Sequence, residues 1–81
     1  MSIRVLFFAS LADITGLREA TLDASDCPDV GSIYSHFEET HPKLRDHRPS
    51  VLFALNSEFA DPNARVKDGD EVAFFPPVSG G

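Results

Sequence analysis

Two glycines, Gly80 and Gly81, are the residues of this 81-residue sequence whose type and position could best do chemistry. Glycine has no Cβ, so a diglycine segment is the narrowest stretch of polypeptide and could enter a pocket that excludes any side chain. Its reactive group would be a carboxylate on Gly81. Pro76 and Pro77 stand just before it, and because proline fixes φ and lacks an N–H, they should end a strand and direct the tail outward. We expect a functional tail, with a frayed, functionless terminus as the alternative.

The sequence has few other groups of residues that could do chemistry together, and no metal site is predicted. His36 and His41 are five residues apart, which does not align two ligands on one helical face, and His47 stands in a predicted loop. Cys27 is the only cysteine and precedes a proline, whereas structural zinc needs four Cys or His ligands. The carboxylates near the C-terminal end lack a calcium-loop pattern and are predicted to be turn residues and solvated charge: Asp61, Asp68, Asp70 and Glu71.

Composition and motifs exclude several further classes of protein. No G-x-S-x-G elbow and no glycine-rich phosphate loop is present, and one cysteine cannot hold a four-thiolate iron–sulfur cluster. A net charge of −6 argues against nucleic acid as a partner and favours a basic protein. No apolar run approaches membrane-spanning length, so we expect no membrane partner. No secretory signal pattern is present and the lone cysteine cannot form an internal disulfide, so we expect a cytoplasmic location.

The elements that must position the tail are those of one small domain. Residues 3–8 alternate as a strand does, residues 10–15 form a helical turn or loop that stops at Gly16, and residues 18–22 fit a return strand. Asp29 is a helix N-cap, and the apolar residues that follow it have helical spacing up to the stop at Pro42. They are Val30, Ile33, Tyr34 and Phe37, with His36, Glu38, Glu39 and Thr40 on the solvated side.

The second half of the sequence predicts an exposed loop followed by strands. Residues 43–50 collect three of the seven basic residues and are interpreted as that loop. A continuous apolar run over 51–55 indicates a central strand, followed by a short piece around Phe59 and a last strand over 71–75. The order ββαββ predicts an α+β domain over residues 1–75, with an extended tail over 76–81.

One helix covers one face of such a sheet, so the other face needs solvent or a partner. If Ile3, Val5 and Phe7 face the helix, alternation turns Leu6 and Phe8 outward, and Phe75 faces outward with Ala73 in the same way. Phe59 is a third candidate for this side. We therefore predict an aromatic patch of Phe8, Phe59 and Phe75 beside the tail, with small local cores under loops as the alternative.

The closing block of the sequence, residues 68–81, strengthens the interpretation of a functional tail beside an aromatic patch. Residues 68–81 run Asp-Gly-Asp-Glu-Val-Ala-Phe-Phe-Pro-Pro-Val-Ser-Gly-Gly, and residues 3–9 run Ile-Arg-Val-Leu-Phe-Phe-Ala. In this order of turn, aromatic strand, proline pair and diglycine, the sequence resembles the small subunits of molybdopterin synthase, the MoaD family, over essentially its whole length. The resemblance implies a ubiquitin-like β-grasp fold with a mixed sheet of four to five strands and one main helix on one face.

The resemblance also implies a mechanism of sulfur transfer. A partner related to ubiquitin-activating enzymes would adenylate Gly81 with ATP and Mg²⁺, and a sulfur donor such as a cysteine desulfurase would supply the persulfide that leaves a thiocarboxylate there. The thiocarboxylate would pass sulfur to cyclic pyranopterin monophosphate, building the dithiolene of molybdopterin. No cofactor would be bound stably by the small subunit itself.

The assembly implied by the resemblance is a heterotetramer of two small and two large subunits, with the active site on the large subunit. Phe8, Phe59 and Phe75 correspond to the family's apolar contact surface. Gly81 would carry the sulfur and Gly80 would permit its passage. The rest of the tail would set its reach and its pocket contacts: Pro76, Pro77, Val78 and Ser79, the last of which is commonly Thr in the family.

Three alternatives remain open at this stage. Other diglycine sulfur carriers serve thiamine biosynthesis or transfer-RNA thiolation and would share the fold and the activation chemistry. A ubiquitin-like protein modifier would instead join Gly81 to a lysine of a target protein. A binding module with an inert tail would carry no modification at Gly81.

Overall fold

A computed structural model describes residues 2–23, 25 and 28–77 of the chain. Within these ranges the chain forms five strands, three short or medium helices and a 3₁₀ turn. They are β1 (Ser2–Phe7), α1 (Ser10–Thr15), β2 (Glu19–Asp23), α2 (Val30–Thr40), α3 (Leu44–His47), the 3₁₀ turn (Arg48–Ser50), β3 (Leu52–Leu55), β4 (Glu58–Ala60) and β5 (Glu71–Phe75). No helix in the described ranges is long and apolar enough to cross a membrane.

The five strands form one mixed sheet in the order β2-β1-β5-β3-β4. β1 and β5 are parallel, and the other neighbouring pairs are antiparallel. The last strand of the chain is therefore the middle strand of the sheet, held between β1 and β3. This arrangement, with one main helix on one face, confirms the predicted α+β, β-grasp fold.

The helix face of the sheet is an aromatic core. Phe7 meets Phe37 of α2 edge to face at 4.9 Å between ring centroids, and Tyr34 of α2 meets Phe74 at 5.1 Å and Phe53 at 5.7 Å. Such edge-to-face pairs add to the free energy gained from area burial. The predicted apolar stripe of α2 is confirmed, since all four of its members are buried.

The ends of the helices follow the sequence signals. The Asp29 carboxylate accepts a hydrogen bond from the Ser32 N–H at 2.8 Å, and the Ser32 side chain and N–H hold the pKa of Asp29 below its usual value. Gly16 ends α1 at φ 73°, a left-handed conformation that costs glycine nothing. Ala9 precedes α1 at φ 52°, where a residue with a Cβ is strained.

Residues 43–50 are not the exposed loop that their charge predicted. They contain α3 and the 3₁₀ turn, and Leu44 is fully buried. The Tyr34 hydroxyl donates a hydrogen bond to the Leu44 carbonyl oxygen at 2.6 Å, which ties α3 to α2. Leu44 is a single apolar residue among several charged ones, which is too weak a local pattern to predict a buried helix. Its burial depends on how α3 packs against the rest of the domain.

Two carboxylates predicted to be solvated are buried as well. Glu38 accepts a hydrogen bond from the Arg48 guanidinium at 2.6 Å, so the helix position assigned to solvent is used for an ion pair. Asp70 accepts from the side-chain amide of Asn56 at 3.0 Å and from the Lys67 N–H at 2.8 Å, and these bonds hold its pKa below the ordinary value. Both carboxylates therefore link segments that are separate in the sequence.

Candidate functional site

The predicted tail follows β5, the middle strand of the sheet. β5 ends at Phe75, and the half-buried Pro76 and exposed Pro77 follow it. Val78, Ser79, Gly80 and Gly81 lie outside the described residues, as does Cys27. The division into a domain of residues 1–75 and a tail of residues 76–81 therefore stays a prediction.

The parallel pairing of β1 with β5 brings the predicted patch together. Because both strands run toward the same edge, Phe8, the residue after β1, lies beside Phe75, with ring centroids 6.2 Å apart. The Phe8 N–H donates to the Phe74 carbonyl oxygen at 3.1 Å, which continues the pairing one residue past the strand. The exit point of the tail is thus flanked by two aromatic rings.

Phe59 completes the patch from the other side of β5. It lies on β4, and its ring centroid is 5.8 Å from that of Phe75. Phe59 is 78% exposed and Phe8 is 47% exposed, although each lies within about 6 Å of another ring. We call Phe8, Phe59 and Phe75 the aromatic patch; the structure brings all three together, and their role in binding a partner stays a prediction.

A shallow trough of about 250 Å³ lies within the patch on the outward face of the sheet. Its floor contains Leu6, Ala73 and Ala54, which are cross-strand neighbours on β1, β5 and β3. Outward orientation was predicted for Leu6 and Ala73 from alternation. Ala54 was missed, because a continuous apolar run over 51–55 carries no alternation that tells one face from the other.

Glu71 is the charged residue that lines the trough, and Arg4 connects it to Glu19 on β2. The Arg4 guanidinium lies between two carboxylates, 2.9 Å from a Glu19 oxygen and 3.4 Å from a Glu71 oxygen. The hydrogen bond to Glu19 is the main cause that raises the pKa of Arg4. Arg4 and Glu19 are exposed and Glu71 is half-buried, so these pairs contribute little to stability; the three groups together carry one net negative charge.

The histidines and carboxylates do not converge elsewhere into a reactive centre. Within residues 2–23, 25 and 28–77, no three His, Cys, Asp or Glu side chains are arranged to hold a metal ion. A polar groove of about 460 Å³ beside α2 includes His36, Glu39 and Arg48, but the Arg48 cation is already paired with Glu38. The aromatic patch is therefore the better candidate for a functional surface.

Comparison with known proteins gives full-length matches. A family model described as the ThiS family matches residues 5–81. The molybdopterin synthase sulfur carrier subunit of Escherichia coli is 39% identical, over 98% of this chain and 99% of that protein. The protein of the same name from Chlamydomonas reinhardtii is 37% identical over the whole of both chains.

Solved structures agree on the fold. The crystal structure of SAMP1, small archaeal modifier protein 1, from Haloferax volcanii has a TM-score of 0.79 at 32% identity and covers both chains completely. A complex of subunits 1 and 2 of the molybdopterin-converting factor from Helicobacter pylori contains a chain with a TM-score of 0.69 at 24% identity, again over the whole of both chains.

Proposed function

The chain belongs to the ThiS family, and from that premise we propose that it is the sulfur carrier subunit of a molybdopterin synthase. The observation that carries the proposal is the position of the aromatic patch. Phe8 and Phe75 flank the point where the tail leaves the sheet, and Phe59 extends the same surface. A partner that grips these rings would be in place to receive Gly81.

The first step would activate a poor acyl donor. A carboxylate oxygen of Gly81 attacks the α-phosphorus of ATP, with Mg²⁺ on the phosphates, and pyrophosphate leaves. The product is an acyl adenylate, in which AMP is a good leaving group. We assign ATP and Mg²⁺ to an adenylyltransferase related to ubiquitin-activating enzymes.

The second step would exchange oxygen for sulfur. The terminal sulfur of a persulfide, supplied by a donor such as a cysteine desulfurase, attacks the activated carbonyl and AMP leaves. A thiol then attacks the other sulfur of the acyl disulfide, forming a disulfide and releasing the Gly81 thiocarboxylate. The thiocarboxylate sulfur is the nucleophile that reaches cyclic pyranopterin monophosphate, and two such deliveries build the dithiolene.

Each part of the chain has a separate task in this scheme. The aromatic patch would bind the large subunit in a heterotetramer of two small and two large subunits. Pro76 and Pro77 would limit the directions that the tail can take, and Gly80 and Gly81 would pass through a narrow entrance. The chain is then a tethered sulfur donor in the cytoplasm, and the large subunit supplies the catalytic surroundings.

Intact-mass analysis tests the proposal directly. Protein isolated with its activating partner and sulfur donor should gain the mass of one sulfur less one oxygen, localised to Gly81. Addition of one residue after Gly81 should abolish the gain, and the same addition before Ser2 is the matched control. Normal loading of the C-terminally extended protein would contradict a mechanism at the Gly81 carboxylate.

Reconstitution assigns the pathway. Loaded protein mixed with the large subunit should convert cyclic pyranopterin monophosphate to molybdopterin, whereas activity only with thiamine or transfer-RNA thiolation partners would assign one of the related carriers. A protein modifier is the second candidate, favoured by the 32% identity to SAMP1. Lysine-linked conjugates without free thiocarboxylate would support it, and an unmodified tail in the presence of the machinery would indicate a plain binding module.

A further inference from the structure

The floor of the trough is built from unusually small side chains. Leu6, Ala73, Ala54 and Phe59 form one row across β1, β5, β3 and β4. Paired residues on one face of a sheet lie side by side. The methyl groups of Ala73 and Ala54, in the middle of the row, therefore leave a depression between the larger side chains at its ends. Phe8 and Phe75 border it on the tail side.

The size of this depression indicates what can occupy it. At about 250 Å³ it is smaller than the 300–1,000 Å³ typical of small-molecule sites. Its floor and aromatic borders are apolar, and only Ser57 and Glu71 add polar groups among the lining residues. One large apolar side chain of a protein partner fits these limits better than a cofactor does.

The polar end of the trough favours a cation beside that side chain. Glu71 lies 3.4 Å from Arg4, whereas Glu19 lies 2.9 Å from the same guanidinium. Arg4 is therefore bound mainly by Glu19, and Glu71 keeps room to accept from a second donor. A carboxylate at the rim of an apolar surface contributes to specificity and association rate by attracting the matching charge.

We propose that the trough is a specificity-determining subsite for the large subunit, which inserts one aliphatic side chain into the depression over Ala54 and Ala73, beside the contacting rings of Phe59 and Phe75, and places an adjacent arginine or lysine on Glu71. This inference rests on the proposed function. Ala54 and Ala73 are the specificity residues, because any larger side chain at either position fills the depression from below. Phe8, Phe59 and Phe75 supply contact area around the inserted side chain.

The size requirement is tested by filling the trough. Ala73→Leu and, separately, Ala54→Leu are titrated with the purified large subunit from the same organism by calorimetry. We expect each to weaken binding about tenfold or more, which corresponds to 1.4 kcal/mol or more. Thr21→Leu is the matched control, because Thr21 is exposed on the same face two strands from Ala73, and it should leave the affinity unchanged.

The charge requirement is tested with Glu71→Gln, compared with Glu58→Gln. Both variants remove one negative charge, but Glu58 pairs with Leu55 on the other face of the sheet from Phe59. At about 0.05 M salt, Glu71→Gln should weaken binding several-fold and Glu58→Gln should have little effect; near 0.5 M salt the difference should shrink, since screening weakens exposed charge pairs. Equal losses for the two variants would overturn the role of Glu71.

The outcomes separate the subsite from the proposed function. Thermal unfolding identifies any variant that fails to fold, and Ala73→Leu and Ala54→Leu provide independent tests of the same depression. If both fold and bind normally while Phe59→Ala binds weakly, the trough is not a subsite and the carrier function stands. If the wild-type protein binds no large subunit and acquires no thiocarboxylate, the carrier function fails and the subsite fails with it.

Discussion

Replacement of Phe59 by alanine should separate binding from folding. Phe59 is 78% exposed, so only about a fifth of its surface is covered in the free chain. An aromatic side chain carries roughly 150–250 Å², so folding buries about 40 Å² here, worth about 1 kcal/mol at 25 cal/mol per Å². By contrast, Phe74 is fully buried, and Phe74→Ala should cost about 3–5 kcal/mol.

The same exposed area sets the expected effect on partner binding. If the large subunit covers the rest of the Phe59 ring, about 150 Å² leaves water, which gives an upper limit of about 4 kcal/mol. Truncation of an interface hot spot costs at least about 2 kcal/mol. Phe59→Ala should therefore weaken the complex by roughly 30- to 1,000-fold.

Two measurements check both halves of this expectation. Urea unfolding of the free chain gives the folding cost, and calorimetric titration with the large subunit gives the binding cost. A loss of 3 kcal/mol or more in folding stability would refute the exposed placement of Phe59. Unchanged affinity with intact folding would refute the aromatic patch as the surface that binds the large subunit.

Three further predictions concern how the domain is held together. Ala9→Gly should raise the urea midpoint, with a net gain of about 1 kcal/mol, because relief of positive-φ strain exceeds the entropic cost of glycine; a lower midpoint would show that Ala9 is not strained. The folded pKa of Asp70 is depressed, so its contribution is present above the unfolded pKa of about 3.9 and is lost as pH falls through the folded value. Asp70→Asn should thus lower the free energy of unfolding by about 1–3 kcal/mol at pH 7, and that free energy should then fall less steeply as the pH is lowered. An unchanged dependence on pH would contradict the hydrogen bonds from Asn56 and Lys67. Glu38→Ala should cost roughly 1–2 kcal/mol in urea unfolding, since it leaves Arg48 without its carboxylate; no loss would show that the half-exposed Arg48 is satisfied by water.

Local patterns in the sequence were sufficient for most of the elements. Alternation identified β1 and the outward direction of Leu6 and Phe8, and helical spacing after Asp29 identified α2 with all four of its buried apolar residues. These signals are local because a strand repeats every two residues and a helix every 3.6. The resemblance of the closing block added the fold family.

Residues buried by long-range contacts were the ones mispredicted. Leu44 stands among charged residues and Glu38 is a charged residue on the expected solvent side of α2, yet both are buried. Each makes a hydrogen bond with a residue ten positions away along the chain: the Leu44 carbonyl oxygen accepts from Tyr34, and the Glu38 carboxylate accepts from Arg48. Such pairings depend on how two helical segments pack, which their individual sequences do not encode.

The sequence by itself determined that a diglycine follows a proline pair and an aromatic strand. It also determined that both faces of the sheet carry apolar side chains, whereas a single helix covers only one of them. Only the tertiary structure placed β5 between β1 and β3, which brings Phe8 and Phe59 to either side of Phe75 and sets Ala54 beside Ala73. The physical reason is strand pairing: register between β1, β3 and β5 joins residues from about 20 to nearly 70 positions apart, so the patch and its trough exist only once the sheet has formed.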